Sequence, residues 1–193
     1  MKIGLYGGTF DPIHCAHLVI AQYIKEVLHL NKVIFIPSAY PPHKQVFSKP
    51  LLRLKMVNLA IGDNQAFECS KIEITKKETC YSVDTIELLK KELDLPRENL
   101  FWIMGSDNLV DLPNWKNPDR ILDLCNIVIF PRIDISFENA LEEHRKRVIY
   151  LKDAPIIDIS STTIRNFVEK GHSIKYLVPP AVEELIYSEK LYH

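Results

Sequence analysis

Lys2-Ile3-Gly4-Leu5-Tyr6-Gly7-Gly8-Thr9-Phe10-Asp11-Pro12-Ile13-His14-Cys15-Ala16-His17-Leu18 follows Met1 directly, and its reading sets the interpretation of the remaining chain. The apolar run from Ile3 to Tyr6 is long enough for a buried strand, and the glycine pair after it lets backbone N–H groups crowd around a bulky group such as a phosphate. Asp11-Pro12 stops the strand. From Cys15 onward Leu18, Ile20, Ala21, Ile24, Val27 and Leu28 form one apolar stripe at helical spacing. Strand, glycine turn and helix in that order make an anion site, because a helix start brings unpaired N–H groups and roughly half a unit of positive charge. His14 and His17 stand at this entrance, and on one helical turn their side chains would lie roughly 5–6 Å apart on one face, where they could clamp a polyphosphate. A zinc site is disfavoured, since the helical zinc pattern needs histidines four apart with a glutamate between them.

Working outward, Lys32-Val33-Ile34-Phe35-Ile36-Pro37 reads as a second buried strand joined to the first by a parallel right-handed crossover. Apolar strand segments recur at Phe67-Glu68-Cys69-Ser70, Leu100-Phe101-Trp102-Ile103-Met104, Ile127-Val128-Ile129-Phe130 and Val148-Ile149-Tyr150. Helical patterns separate several of them, the clearest through Val83, Ile86, Leu89 and Leu93. The alternation predicts an α/β fold, a doubly wound and mainly parallel sheet with helices on both faces. At 193 residues one domain, 1–193, is the default. Residues 136–147 read as an exposed charged helix and 71–78 as a polar hairpin or loop, neither carrying chemistry; a last helix runs from about Ala181 to Leu191.

The balance of 24 basic against 25 acidic residues leaves a net charge of −1, so no global field favours nucleic acid or an anionic membrane, and a bound anion needs a local site. The four cysteines, 15, 69, 80 and 125, form no C-x-x-C pair, which argues against a zinc site and a disulfide framework and for free thiols in a reducing cytosol. The start of the chain resembles no leader, and no apolar run approaches membrane-spanning length; a cytoplasmic protein is expected.

In a doubly wound sheet ligands bind beyond the carboxyl ends of the strands, so the segments after each strand are where partners of the two histidines belong. Pro37-Ser38-Ala39-Tyr40-Pro41-Pro42-His43-Lys44 is a loop stiffened by prolines and ending in a cation. Thr79-Cys80-Tyr81-Ser82-Val83-Asp84-Thr85 starts a helix, with Ser82 suited to the cap and Asp84 to the first turn. Gly105-Ser106-Asp107-Asn108 follows a strand directly, which suits Asp107 to ribose hydroxyls or a metal. Trp115 lies in the polar loop Leu112-Pro113-Asn114-Trp115-Lys116, where a flat ligand could cover one ring face. In Ile159-Ser160-Ser161-Thr162-Thr163-Ile164-Arg165 a helix cap accounts for one hydroxyl, not four followed by an arginine, so a second anion-binding helix start is expected.

Gly7-Gly8-Thr9-Phe10-Asp11-Pro12-Ile13-His14 with His17 resembles the [HT]-x-G-H signature of the nucleotidyltransferase superfamily, in the form typical of bacterial nicotinate mononucleotide adenylyltransferases. Ala16 departs from the pattern, adding a methyl where the family has glycine close to the triphosphate. Pro41-Pro42-His43-Lys44, Tyr81-Ser82-Val83-Asp84-Thr85, Gly105-Ser106-Asp107 with Leu112-Pro113-Asn114-Trp115, and Ile159 to Arg165 resemble further motifs of that family. The resemblance spans nearly the whole chain. It implies a Rossmann-like fold, an ATP site of Gly7, Gly8, Thr9, Phe10, Gly105, Asp107, Ser160, Ser161 and Thr162, and an acceptor site of Lys44, Thr85 and Trp115. Trp115 would stack on the pyridine, Thr85 would lie near its carboxylate, and Lys44 would reach a phosphate.

No nucleophile paired with a base can be read from the sequence, so direct transfer between bound substrates is the expected chemistry. The mononucleotide phosphate would attack the α-phosphorus of ATP and expel pyrophosphate, with His17 on the α-phosphate, His14 and Arg165 on the β and γ phosphates and Lys44 on the acceptor phosphate. These four are the catalytic candidates. Mg²⁺ would come bound to ATP, held by phosphate and water rather than by a dedicated ligand set. Nicotinamide mononucleotide or pantetheine phosphate as acceptor, and a nucleotide sensor without turnover, are the alternatives; ATP and nicotinate mononucleotide are the expected partners, with no nucleic acid or membrane, and the existence of a homo-oligomer stays open.

Overall fold

The computed structural model describes residues 1–42, 45–76 and 78–193. In chain order the elements are β1 (Ile3–Gly8), α1 (Cys15–Val27), β2 (Lys32–Pro37), α2 (Pro50–Ile61), β3 (Phe67–Cys69), α3 (Ser82–Glu92), β4 (Leu100–Gly105), α4 (Ser106–Asp111), α5 (Pro118–Leu124), β5 (Asn126–Phe130), α6 (Glu142–Arg145), β6 (Val148–Tyr150), α7 (Ser161–Glu169) and α8 (Pro180–Ser188). The six strands form one sheet in the order β3-β2-β1-β4-β5-β6, and every neighbouring pair is parallel. This is the doubly wound, Rossmann-like arrangement that the alternation of elements implies. The order reverses between β1 and β4, so a crevice opens beyond Gly8 and Gly105.

Both faces of the sheet are covered, which explains why its strands read as continuous apolar runs. Alternate residues feed two cores. Tyr6, Val33, Phe35, Phe101, Ile103, Val128 and Phe130 pack with α1, α2, α7 and α8 on one face. Ile3, Leu5, Ile34, Ile36, Trp102, Met104, Ile127 and Ile129 pack with α3, α4 and α5 on the other.

Several local expectations need correcting. β1 does not end at Tyr6; both glycines belong to it, with Gly7 opposite Ile36 and Gly8 opposite Pro37. A Cβ on Gly7 would come within 2.7 Å of the Trp102 indole, so close packing against β4 is one demand this glycine meets. The left-handed residue of the turn is Phe10, at φ 50°, with its ring buried in the core. Ser82 is the first residue of α3 rather than its cap, which is the extended Tyr81. Residues 136–147 are not one helix. Leu141, with non-helical backbone, separates a 3₁₀ turn, Phe137–Asn139, from the four-residue α6, and the turn is held by Phe137, which stacks on Tyr150 at 4.0 Å and packs with it against the second core. The last helix ends at Ser188, and Lys190 and Tyr192 are left-handed. Among the described residues no helix is long and apolar enough to cross a membrane.

Candidate functional site

A cleft of about 580 Å³ lies beyond the strand ends, and Gly7, Gly8, Thr9, Phe10, His14, His17, Gly105, Asp107, Trp115, Ser160, Ser161, Thr162 and Arg165 all line it. Thr85 does not. It is buried behind the wall, where its hydroxyl donates to Glu73 Oε1 at 2.8 Å, and Glu73 faces the cleft instead. Lys44 lies outside the described residues. Ala16 is also absent from the cleft wall; its methyl borders a small cavity of about 40 Å³ behind the histidines.

His14 is the N-cap of α1, one residue earlier than the same-face geometry assumes, and the two imidazoles stack with centroids 3.6 Å apart. The His14 backbone N–H donates to His17 Nδ1 at 3.2 Å. A neutral His17 ring therefore carries its proton on Nε2. Phe10 and Tyr6 meet His17 edge-on and limit its rotation. Burial, reinforced by the Arg132 guanidinium, pushes the His14 pKa down to about 3, so His14 is a neutral hydrogen-bonding group and not the cation that a positive phosphate clamp would use. The start of α1 is also less open than expected: Cys15 N–H already donates to Leu177 O at 2.9 Å.

The start of α7 faces the cleft and is tied to the β1–α1 turn. Ser160 caps the helix by accepting from Thr163 N–H at 3.0 Å, and Ser161 Oγ donates to Pro12 O at 2.8 Å. Arg165 donates to Asp11 O at 2.8 Å and Thr162 Oγ1 at 3.1 Å, and its guanidinium lies 4.1 Å from the Phe47 ring centroid. The hydroxyls thus hold the arginine and the two loops in register as well as lining the site.

The facing wall is built differently. Trp115 is partly buried against the α3–α5 core, and its indole N–H donates to the exposed Asp111 at 3.1 Å. Lys116 pairs with Asp84 Oδ2 at 2.9 Å and sits 4.7 Å from the Tyr81 ring centroid. At the end of β4, Gly105 leaves room for Asp107 and Arg132, which pair at 3.6 Å in the space a Cβ would take.

Sequence reasoning missed four groups. Arg132 follows β5 directly and lines the cleft; the strand-end rule, applied to Phe130-Pro131-Arg132, could have found it. Glu73 is buried within a segment read as polar loop, and desolvation raises its pKa against the opposing Thr85 hydrogen bond. Arg53 is fully buried on α2 and donates to the carbonyls of Thr9, Ser38, Ala39 and Ser48. Asp11 was read only as a strand stop, yet it is buried and accepts from Phe47 N, Ser48 N, Ser48 Oγ and Tyr192 Oη. Nothing local in the sequence distinguishes Arg53 from an exposed helix arginine.

A family model described as cytidylyltransferase-like matches residues 5–167. The chain is 39% identical to a probable nicotinate-nucleotide adenylyltransferase of Caldicellulosiruptor saccharolyticus, over 100% of this chain and 99% of the relative. It is also 39% identical to one of Rubrobacter xylanophilus, over 100% and 92%. Among solved structures, the Plasmodium falciparum nicotinic acid mononucleotide adenylyltransferase complexed with NaAD superposes with a TM-score of 0.81 at 20% identity, covering 99% of this chain and 97% of the other.

Proposed function

This chain belongs to the cytidylyltransferase-like family and, within it, to the nicotinate-nucleotide adenylyltransferases; from that premise we propose that it transfers AMP from ATP to nicotinate mononucleotide, giving deamido-NAD and pyrophosphate. It is a nucleotidyltransferase enzyme. The observation that carries the mechanism is the stacked His14–His17 pair facing the same cleft as the α7 start and Arg165.

The acceptor phosphate is itself the nucleophile, already ionised at neutral pH, and attacks the α-phosphorus in line while the bond to the β-phosphate oxygen breaks. His17 Nε2–H donates to an α-phosphate oxygen as charge builds there. His14 donates as a neutral imidazole to the leaving pyrophosphate, and the cationic part of that role falls to Arg165, with Arg132 a second guanidinium on the same cleft. A covalent route through Cys80, the cysteine lining the cleft, is disfavoured because burial and nearby carboxylates raise its thiol pKa. Mg²⁺ enters with ATP as part of the substrate, held by phosphate oxygens and water. Trp115 offers a ring face to the pyridine, and Lys44 is assigned to the acceptor phosphate on the resemblance of its motif alone.

Pyrophosphate release from ATP and Mg²⁺, measured in parallel with nicotinate mononucleotide, nicotinamide mononucleotide and pantetheine phosphate, tests the assignment. Fast release with the first alone is the expected result. Release with pantetheine phosphate only would move the acceptor, and none with any of them would leave a nucleotide-binding protein without turnover.

A further inference from the structure

The α8 helix ends at Ser188, yet the chain continues back toward the site. Tyr192, two positions beyond the left-handed Lys190, is itself left-handed at φ 65°, a conformation that costs a non-glycine residue energy and persists only where something holds it. Its partly buried ring packs against the core on the face of the sheet that carries α1, α2, α7 and α8, and its hydroxyl donates to Asp11 Oδ1 at 2.6 Å. Asp11 Oδ1 also accepts from Ser48 Oγ at 2.6 Å, and Oδ2 accepts from Phe47 N at 2.6 Å and Ser48 N at 3.3 Å. One buried carboxylate thus joins the motif turn, the segment entering α2 and the end of the chain. Asp11 and Phe47, with Thr162, also cradle Arg165, Asp11 through its carbonyl oxygen and Phe47 through its ring.

We propose that Tyr192 is a positioning residue for the triphosphate side of the cleft: by holding the Asp11 carboxylate it holds Phe47 and Ser48, and through Phe47 and the Asp11 carbonyl it sets where the Arg165 guanidinium stands. The hydroxyl touches no substrate; it acts through Asp11 and the segment hung from it. Burial first, and then the Asp11 negative charge, raise the Tyr192 pKa well above the ordinary phenol value, so the group remains a donor across the working range. The packing of the ring alone could anchor the tail to the core. The hydroxyl adds a bond to the one carboxylate from which residues 47 and 48 hang, and that bond gives the tail a hold on the site.

This inference rests on the adenylyl-transfer reading and assigns one further residue to it. Tyr192→Phe removes the oxygen and keeps the ring, with the exposed Tyr187→Phe on α8 as control. In Tyr192→Phe the KM for ATP is expected to rise about three- to tenfold, part of the worth of the lost hydrogen bond being passed on through Asp11, with kcat within about twofold of wild type. The Phe47 and Ser48 amides are expected to exchange with deuterium faster in this variant, and the control is expected to change neither quantity. An unchanged KM overturns the proposal even if thermal stability falls, because it shows the bond to be structural only, and unchanged amide exchange overturns it independently. Absence of turnover in the wild-type protein would count against adenylyl transfer and not against the tie, which the exchange measurement reads without catalysis.

Discussion

The two walls of the cleft are built to different standards. On the β1 side Asp11, His14 and Arg53 are almost fully buried, each guanidinium nitrogen of Arg53 donates to a carbonyl of a neighbouring loop, and Asp11 collects donors from residues 47, 48 and 192. On the α3–α4 side Lys116 and Asp111 are exposed and Asp84 is half-buried, and the side chains of the pair Lys116–Asp84 are about two-fifths accessible at each end. A buried polar group whose partner is removed costs far more than a surface ion pair that is broken. The β1 wall is therefore a rigid frame in which fold stability and the placing of the cleft residues depend on the same groups, whereas the α3–α4 wall can be altered with little effect on the fold.

Arg53→Met is the most severe way to test that contrast: it leaves the carbonyls of Thr9, Ser38, Ala39 and Ser48 without their donor and is expected to cost about 3–5 kcal/mol in urea unfolding. A loss below about 1 kcal/mol would show that the frame is not rigid. His17→Ala is expected to lower kcat by about 10²–10³ with folding intact, since it deletes a donor aimed at developing charge. An unaltered turnover number would remove His17 from the chemistry. Trp115→Ala is expected to raise the KM for the mononucleotide by roughly one to two powers of ten, the worth of a stacked ring, while the unfolding midpoint barely moves; a large loss of stability instead would place the α3–α4 wall in the frame.

His14 supplies a pH test of the same frame. Its folded pKa of about 3 lies below the ordinary value near 6.5, so its contribution to stability is complete above about pH 6.5 and is lost as the pH falls toward 3, at a slope approaching about 1.4 kcal/mol per pH unit. Comparison of urea midpoints at neutral and mildly acid pH for the wild type and His14→Asn should show a shallower fall in the variant; parallel curves would mean that His14 is not held neutral by burial. The smallest effect is expected at Asp84→Asn, which breaks the pair with Lys116 and should change stability by less than about 0.5 kcal/mol.

Much of the cleft lining was legible because its residues lie at strand ends or in the segments that come after them. Gly7 to Phe10, Gly105, Asp107 and Trp115 reach one cleft through the geometry of parallel strands, and a short helix entrance brings His14 and His17 together. The reading failed where a residue's role depended on what it packs against. Gly7 was read for phosphate alone, and part of its reason is the Trp102 ring on the neighbouring strand. The family motif implies a place for Thr85 near the pyridine carboxylate, and in the fold its hydroxyl donates to Glu73, from a segment that reads as polar loop. His14 stands where its spacing from His17 suggests a polyphosphate clamp, and burial makes it a neutral donor there.

What the sequence by itself determined is the fold class, from apolar runs alternating with helical stripes, and the residue types gathered at the strand ends, because periodicity and chain reversal act over a few residues. Only the tertiary structure decided the scaffolding: that Arg53 holds two loops, that Arg132 stands by Asp107, and that Tyr192 reaches Asp11 across 181 positions of sequence. Such bonds form between groups brought together by the closing of the whole sheet. Their energies come from burial, which no local stretch of sequence encodes.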